Sequence, residues 1–290
     1  MKIQSLSALS SHTLKSHTSK GSHSYPKAVD HDKLTALWST SVSGLNLQQA
    51  LTQLIADDPR NELTVKAQNS VRLTTWLGEH FEALMTVHAD FTGLGKAVCA
   101  SLWHKQLVEL LMPTLVALRF QYRLVPADGL LAIGLDIEPN GRINTISIPE
   151  GTVDKENELA LDSAFKTIIA QFAESLQPLF ADQRVNSKRF WGNLSNALAQ
   201  GFTRLAPRDS QPFTQADCDQ INLWLAQVLP PEASLVEVKL AQSHSRSMFY
   251  VRRKTCCLKY KLDKVRMCQT CNLKQLSEQE KFYTNKLVNA

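Results

Sequence analysis

Leu130-Leu-Ala-Ile-Gly-Leu-Asp-Ile-Glu-Pro-Asn-Gly-Arg-Ile-Asn-Thr-Ile-Ser-Ile148 decides the fold class, because the hydrophobic period changes there. Upstream, apolar residues recur at helical spacing. Within this stretch, Ile146 and Ile148 alternate with Thr145 and Ser147, the period of a strand with one buried face. Between its two apolar runs lies Glu138-Pro-Asn-Gly141, and an Asn-Gly pair takes the positive φ of a hairpin turn. A hairpin near 130–148 inside a mostly helical chain predicts an α+β protein, predominantly helical, with a small antiparallel sheet.

Working outward, residues 33–56 carry Leu34, Leu37, Trp38, Leu45, Leu51, Leu54 and Ile55 at helical spacing, ended by Asp57-Asp-Pro59. Residues 65–88 predict a second helix through Val71, Leu73, Trp76, Leu77, Phe81, Leu84 and Met85. Residues 96–120 predict a long buried helix with a bend at Pro113. Beyond the hairpin, helices are expected over 158–180, 186–205 and 214–229, the last capped by Thr214 and stopped by Pro230-Pro231. Residues 235–240 and 248–253 predict strands leading directly into a cysteine-rich end. The expected organisation is a disordered leader over 1–30, a mainly helical body over 31–240, and a C-terminal cluster-binding segment over 241–290 packed on that body. The leader is rich in Ser, Thr, Lys and His, has no acid before Asp30, and places His12, His17 and His23 where a mobile tail is the simplest reading.

Four of the six cysteines stand at Cys256, Cys257, Cys268 and Cys271, spaced C-C-x10-C-x2-C. Four thiols this close, ringed by cations, read as one metal site. Thiolates suit zinc or an iron–sulfur cluster. Cys268-Gln-Thr-Cys271 fits one knuckle of a structural zinc site, but the adjacent Cys256 and Cys257 do not fit the second. Neighbours in an extended strand point to opposite faces, so the backbone must turn sharply for both sulfurs to reach one centre. A two-iron cluster is wider than one ion and is easier for adjacent cysteines to reach. The spacing therefore leans toward [2Fe-2S] and leaves structural zinc open. Paired disulfides rank last, since a bridge between neighbours is strained and nothing indicates an oxidising compartment.

Arg246, Arg252, Arg253, Lys254, Lys259, Lys261, Lys264, Arg266 and Lys274 surround the motif, and Asp263 is the only acid between Arg246 and Lys274. Cations stabilise a negatively charged cluster and favour its reduced state still more. Thr255 is placed to donate to a cluster sulfur. Nucleic-acid binding is disfavoured, because Met248-Phe-Tyr-Val251 alternates like a half-buried strand rather than a stacking platform.

This stretch resembles the FhuF-like ferric iron reductase family, which carries a C-terminal C-C-x10-C-x2-C signature, often after an Arg-Arg pair. The matching residues are Arg252, Arg253, Cys256, Cys257, Cys268 and Cys271, with Leu258 and Tyr260 also family-like. Phe190-Trp191-Gly192-Asn193 is similar to the family's Trp-Gly-Asn segment opening a helix. The resemblance spans roughly residues 70–275 and departs at Asn272 and Leu273, where family members often carry glycine or an acid, and proline. It implies a [2Fe-2S] cluster on the four cysteines and one-electron reduction of a ferric siderophore, typically of hydroxamate type, in the cytoplasm. Attachment at the periphery of the inner membrane is left open. Electrons then come from a ferredoxin or a reductase, since no G-x-G-x-x-G or G-x4-G-K-[ST] loop marks a nucleotide site. Arg252, Arg253, Lys259, Lys261 and Trp191 are the expected docking residues for substrate or donor. A zinc-stabilised binding module and an iron–sulfur redox sensor are the alternatives.

Composition sets the outer bounds. Of 290 residues, 43% are hydrophobic and 20% charged, with net charge +5, ordinary for a globular protein. No apolar run is long enough to span a membrane; the longest candidate, 107–120, is interrupted by Glu109, Pro113 and Thr114. Cys99 is expected in the core and Cys218 early in a helix. His80, His88 and His104 lack the spacing of helical metal ligands, and His244 is a bystander beside four thiols.

Overall fold

The computed structural model describes residues 28–38, 44–59, 63–66, 73–127, 129–153, 157–205, 212–230, 235–243, 246–262 and 267–289. The expected leader, up to residue 27, and His244 lie outside them. The architecture is α+β and mostly helical.

At its centre stands α4 (Lys96–Gln121), whose residues from Leu102 to Phe120 are nearly all buried. A helix apolar on every side must be enclosed by other elements, and α4 is. Helix α6 (Ser187–Arg204) packs closest: a Cβ built on Gly201 would lie 2.6 Å from Val116 Cβ, so glycine lets the two backbones approach. Helices α3 (Leu73–Thr92), α5 (Glu158–Asp182) and α7 (Gln215–Val228) complete the shell. Trp38, Phe120, Phe202 and Trp224 form a cluster of edge-on and tilted rings with centroids 5.0–5.7 Å apart, the arrangement aromatic quadrupoles favour.

Helices α5, α6 and α7 start on side-chain caps. Asn157, Asn186 and Thr214 accept from backbone N–H groups three residues on, and Thr214 and Asp217 form a reciprocal capping box. The periodic stretch at 33–56 resolves into two helices, α1 (His31–Ala36) and α2 (Leu47–Asp57), because Asn46 and Gln49 build a second capping box and Gly44 takes φ 82°. A buried charge cluster ties α1, α4 and α5 together. Arg119, fully enclosed, meets Asp162 and Glu158 at 2.7 Å each, while Thr35 donates to Glu158 and His31 bonds Asp162.

The hairpin is present as β3 (Gly134–Ile137) and β4 (Ile143–Pro149), with Gly141 at φ 82° in the turn. One strand was not anticipated. Residues 63–66, the last two of which periodicity placed inside the helix expected over 65–88, form β1 (Leu63–Lys66), parallel to β4 with Leu63 opposite Ile146. The sheet order is β1-β4-β3, so β4 is central, and even Ser147 between its two buried isoleucines is covered. A short antiparallel pair, β2 (Val125–Pro126) and β5 (Thr152–Val153), follows.

The C-terminal hairpin is β6 (Val236–Ser243) with β7 (Arg246–Arg253), antiparallel, Val238 opposite Val251. One face packs on α6 and α7. An unanticipated helix, α8 (Leu276–Val288), lies against the hairpin. There Tyr283 stacks on Tyr250 at 4.6 Å, and Leu287 joins Ala241 and Tyr250 in a small separate core. β6 and β7 belong to one hairpin, so the expected boundary at 240–241 falls inside a strand. Among the described residues, no helix is long and apolar enough to cross a membrane.

Candidate metal centre

Strand β7 delivers the first half of the cysteine motif. At its end, the Lys254 N–H donates to the Leu235 carbonyl at 2.8 Å, and the Arg253 N–H donates to the Thr270 carbonyl at 3.2 Å. The second bond lays the Cys268–Cys271 knuckle beside the strand end that precedes Cys256 and Cys257. The chain then reverses at Leu258, a non-glycine residue at φ 65°, in the left-handed region that costs L residues energy. That is the sharp turn the adjacent cysteines demand, placed one residue after them. A single 3-10 turn, Lys259–Lys261, follows. The Leu258 N–H donates to Cys256 Sγ at 3.4 Å. In the knuckle, the Cys271 N–H closes on the Cys268 carbonyl at 3.1 Å, and Thr270 Oγ1 donates to Cys268 Sγ at 3.7 Å. Gln279 of α8, buried, donates to the Cys271 carbonyl at 2.8 Å and so braces the knuckle.

Beneath this loop runs the first half of α6. A Cβ on Gly192 would fall 1.9 Å from Thr255 Oγ1, so only glycine admits the cysteine loop at this distance. Asn193 Oδ1 accepts from Arg253 Nη2 at 2.7 Å, and the Gly192 carbonyl accepts from the same nitrogen at 3.2 Å. Asn193 Nδ2 in turn donates to the Ser101 carbonyl of α4 at 3.1 Å, and Ser101 Oγ donates to the Cys257 carbonyl at 3.5 Å. Gly192-Asn193 and Arg253, Thr255 and Cys257, some sixty residues apart in sequence, therefore meet in space.

That geometry corrects two expectations. Arg253 is 2% exposed and turned inward, so it is not a docking side chain; it is a buried cation behind the thiols. Thr255 lies under the loop against Gly192, and no sulfur accepts from its hydroxyl. Of the other expected docking residues, Arg252 is half-buried on β7 opposite Glu237, Lys259 is half-buried and Lys261 is exposed. Trp191, 7% exposed, lines a cavity of about 880 Å³ between α5 and α7, together with His31, Asp162, Lys166, Glu174 and Trp224.

Cys257 and Cys268 shift each other in opposite directions. Donation from the Cys257 thiol, aided by Thr270 and Arg253 against the cost of burial, pushes Cys268 down to about 6. The same hydrogen bond, with burial, pushes Cys257 up. Cys257 and Cys271 are buried, while Cys256 and Cys268 are half-buried. The remaining two cysteines are elsewhere: Cys99 is fully buried between Thr92 and Leu94, and Cys218 donates to the Val238 carbonyl at 3.0 Å and is raised to about 12, chiefly by burial. His104, which spacing dismissed as a ligand, is enclosed, stacked on Phe190 at 4.2 Å and beside Asn193. Burial, then the nearby Arg253 charge, holds it down to about 3, so it is neutral.

No family model matches the chain, and no curated protein matches it. The [2Fe-2S] cluster implied by the resemblance must therefore be judged on the residues. The donor chemistry fits: four thiols at one end of the fold, Cys257 and Cys268 near enough to shift each other, N–H and O–H donors on Cys256 and Cys268, and a buried guanidinium behind them. The cage itself is not drawn together, since among the described residues no three His, Cys, Asp or Glu side chains stand where they could hold a metal ion. Asp263, Lys264 and Arg266, between the two cysteine pairs in sequence, lie outside the described residues.

Proposed function

We propose that this chain is a ferric-siderophore reductase of the FhuF-like kind, working in the cytoplasm, with Cys256, Cys257, Cys268 and Cys271 holding a [2Fe-2S] cluster. The observation that carries the reading is the junction of Gly192 and Asn193 with Thr255 and Arg253. The two sequence features behind the resemblance are otherwise unrelated, and a shared purpose explains why they meet at the thiols.

When bound, such a cluster supplies one electron at a time. The protein's own residues supply its setting. Arg253, fixed by Asn193, favours accumulation of negative charge on the thiolate side. Burial of Cys257 and Cys271 restricts water, while the half-exposed Cys256 and Cys268 face the side from which a substrate can approach. The substrate is Fe(III) in an oxygen-donor chelate. Hard Fe(III) is held very tightly by hydroxamate oxygens and Fe(II) far more weakly, so one electron labilises the complex with no covalent bond broken. The electron comes from an external reductant, a ferredoxin or a reductase.

Anaerobically purified protein tests this. Two irons and two sulfides per chain, visible bands bleached by dithionite, and single-turnover release of Fe(II) from a ferric trihydroxamate to a ferrous-selective chelator are the expected results. A colourless protein with one zinc overturns the cluster. A reducible cluster that never passes its electron to the chelate overturns the reductase.

A further inference from the structure

A second cavity, of about 560 Å³, adjoins the cysteine loop. Its walls include Phe91 of α3, Lys105 and Glu109 of α4, Arg142 after the β3–β4 turn, and Lys259 and Leu262 from the turn directly following Cys257. The size is that of a small-molecule site. The walls are held in place. Gln106 on α4 both donates to the Ile143 carbonyl at 2.7 Å and accepts from the Ile143 N–H at 3.3 Å, which anchors Arg142 beside α4. His88 Nδ1 bonds the Asn140 carbonyl at 3.2 Å, seating the hairpin turn on α3.

The lining is apolar with a positive excess. Lys105 pairs with Glu109, and Arg142 and Lys259 set the sign of the field. Phe91, 65% exposed, presents a large apolar surface at the same groove. Exposed phenylalanine beside clustered cations is the lining an amphiphilic anion requires.

We infer that this groove, formed by Phe91, Lys105, Arg142 and Lys259 against the cysteine loop, binds the iron chelate, and that it selects hydroxamate chelates bearing a free carboxylate over neutral ones. The inference rests on the reductase reading and narrows its substrate class. The aliphatic spacers of the chelate lie on Phe91 and Leu262, its carboxylate faces Arg142, and its metal end is brought to the turn that carries Cys257.

The test uses full-length protein and gallium(III), which binds hydroxamates as Fe(III) does but is not reduced. Calorimetric titration compares a gallium trihydroxamate carrying one carboxylate with its methyl ester. The acid binds about tenfold tighter, and Arg142→Glu removes that difference without weakening the ester. Phe91→Ser, a change at an exposed position, weakens both. Equal affinity for acid and ester, or Arg142→Glu and Phe91→Ser variants that bind like the parent, overturns the groove. The two readings fail separately. Selective gallium-chelate binding by a protein that never releases Fe(II) overturns the reductase and keeps the site. Reduction by a protein whose chelate affinity ignores Arg142 and Phe91 overturns the site and keeps the reductase.

Discussion

Replacing Gly192 by alanine tests how the cysteine loop is held. The new methyl would lie 1.9 Å from Thr255 Oγ1, 2.9 Å from its Cβ and 3.1 Å from its Cγ2. Carbon contacts settle near 3.5–4 Å, so Thr255 must retreat by about 1.5 Å or more. It cannot do so by rotating alone, because its Cβ is itself too close. The retreat pulls on Arg253, two residues back, and on Cys256, the next residue. Overpacking of this kind costs about 1–3 kcal/mol, which for a chain this large lowers the melting temperature by roughly 2–10 °C. Scanning calorimetry reads the loss, and iron and sulfide content of the same samples reads the displacement of the thiols. Thr255→Gly removes every atom in the clash. The Gly192→Ala/Thr255→Gly pair is therefore expected to be non-additive, with a coupling of about 1–2 kcal/mol in the relieving direction. Gly192→Ala protein with parental melting temperature and metal content would refute the reasoning.

Asn193→Ala removes the best acceptor of a buried guanidinium, and a charge-assisted bond of this kind is worth about 2–3 kcal/mol; the urea midpoint should fall accordingly, whereas Asn193→Asp, which keeps an acceptor at the same place, should fall less. Cys268→Ser should abolish the electron-paramagnetic signal of the reduced protein, and an unchanged spectrum would exclude Cys268 as a ligand. His104 is held neutral in the fold with its pKa near 3, below its unfolded value, so the unfolded chain binds the extra proton and stability falls with acid between about pH 6.5 and pH 3. From pH 7 to pH 5 this group alone removes about 2 kcal/mol, and a denaturation series on His104→Leu should lack that part of the slope.

Much of the helical frame is legible locally. Helix α4 is marked by its long apolar run, and helices α5, α6 and α7 by apolar periods and the side-chain caps Asn157, Asn186 and Thr214, written within a few residues of the ends they specify. The β3–β4 turn is marked by Asn140-Gly141 in the same way. Strand β1 is not, because its four residues are strand only by virtue of β4, about eighty positions away. Helix α8 is weakly patterned, and its place depends on Tyr250 offering a face for Tyr283.

The cysteine spacing, the cations around it and the Trp191-Gly192-Asn193 segment are properties of the chain, because the chemistry of a thiol or a guanidinium travels with the residue. Which cation faces inward is not. Arg252 and Arg253 are indistinguishable in sequence, and only the pleat of β7 over α6 buries the second and leaves the first half-exposed. Burial and partnership are decided by elements distant along the chain, so the role of Arg253, the need for Gly192 and the groove beside Cys257 emerge only once α4, α6 and the C-terminal hairpin are packed together.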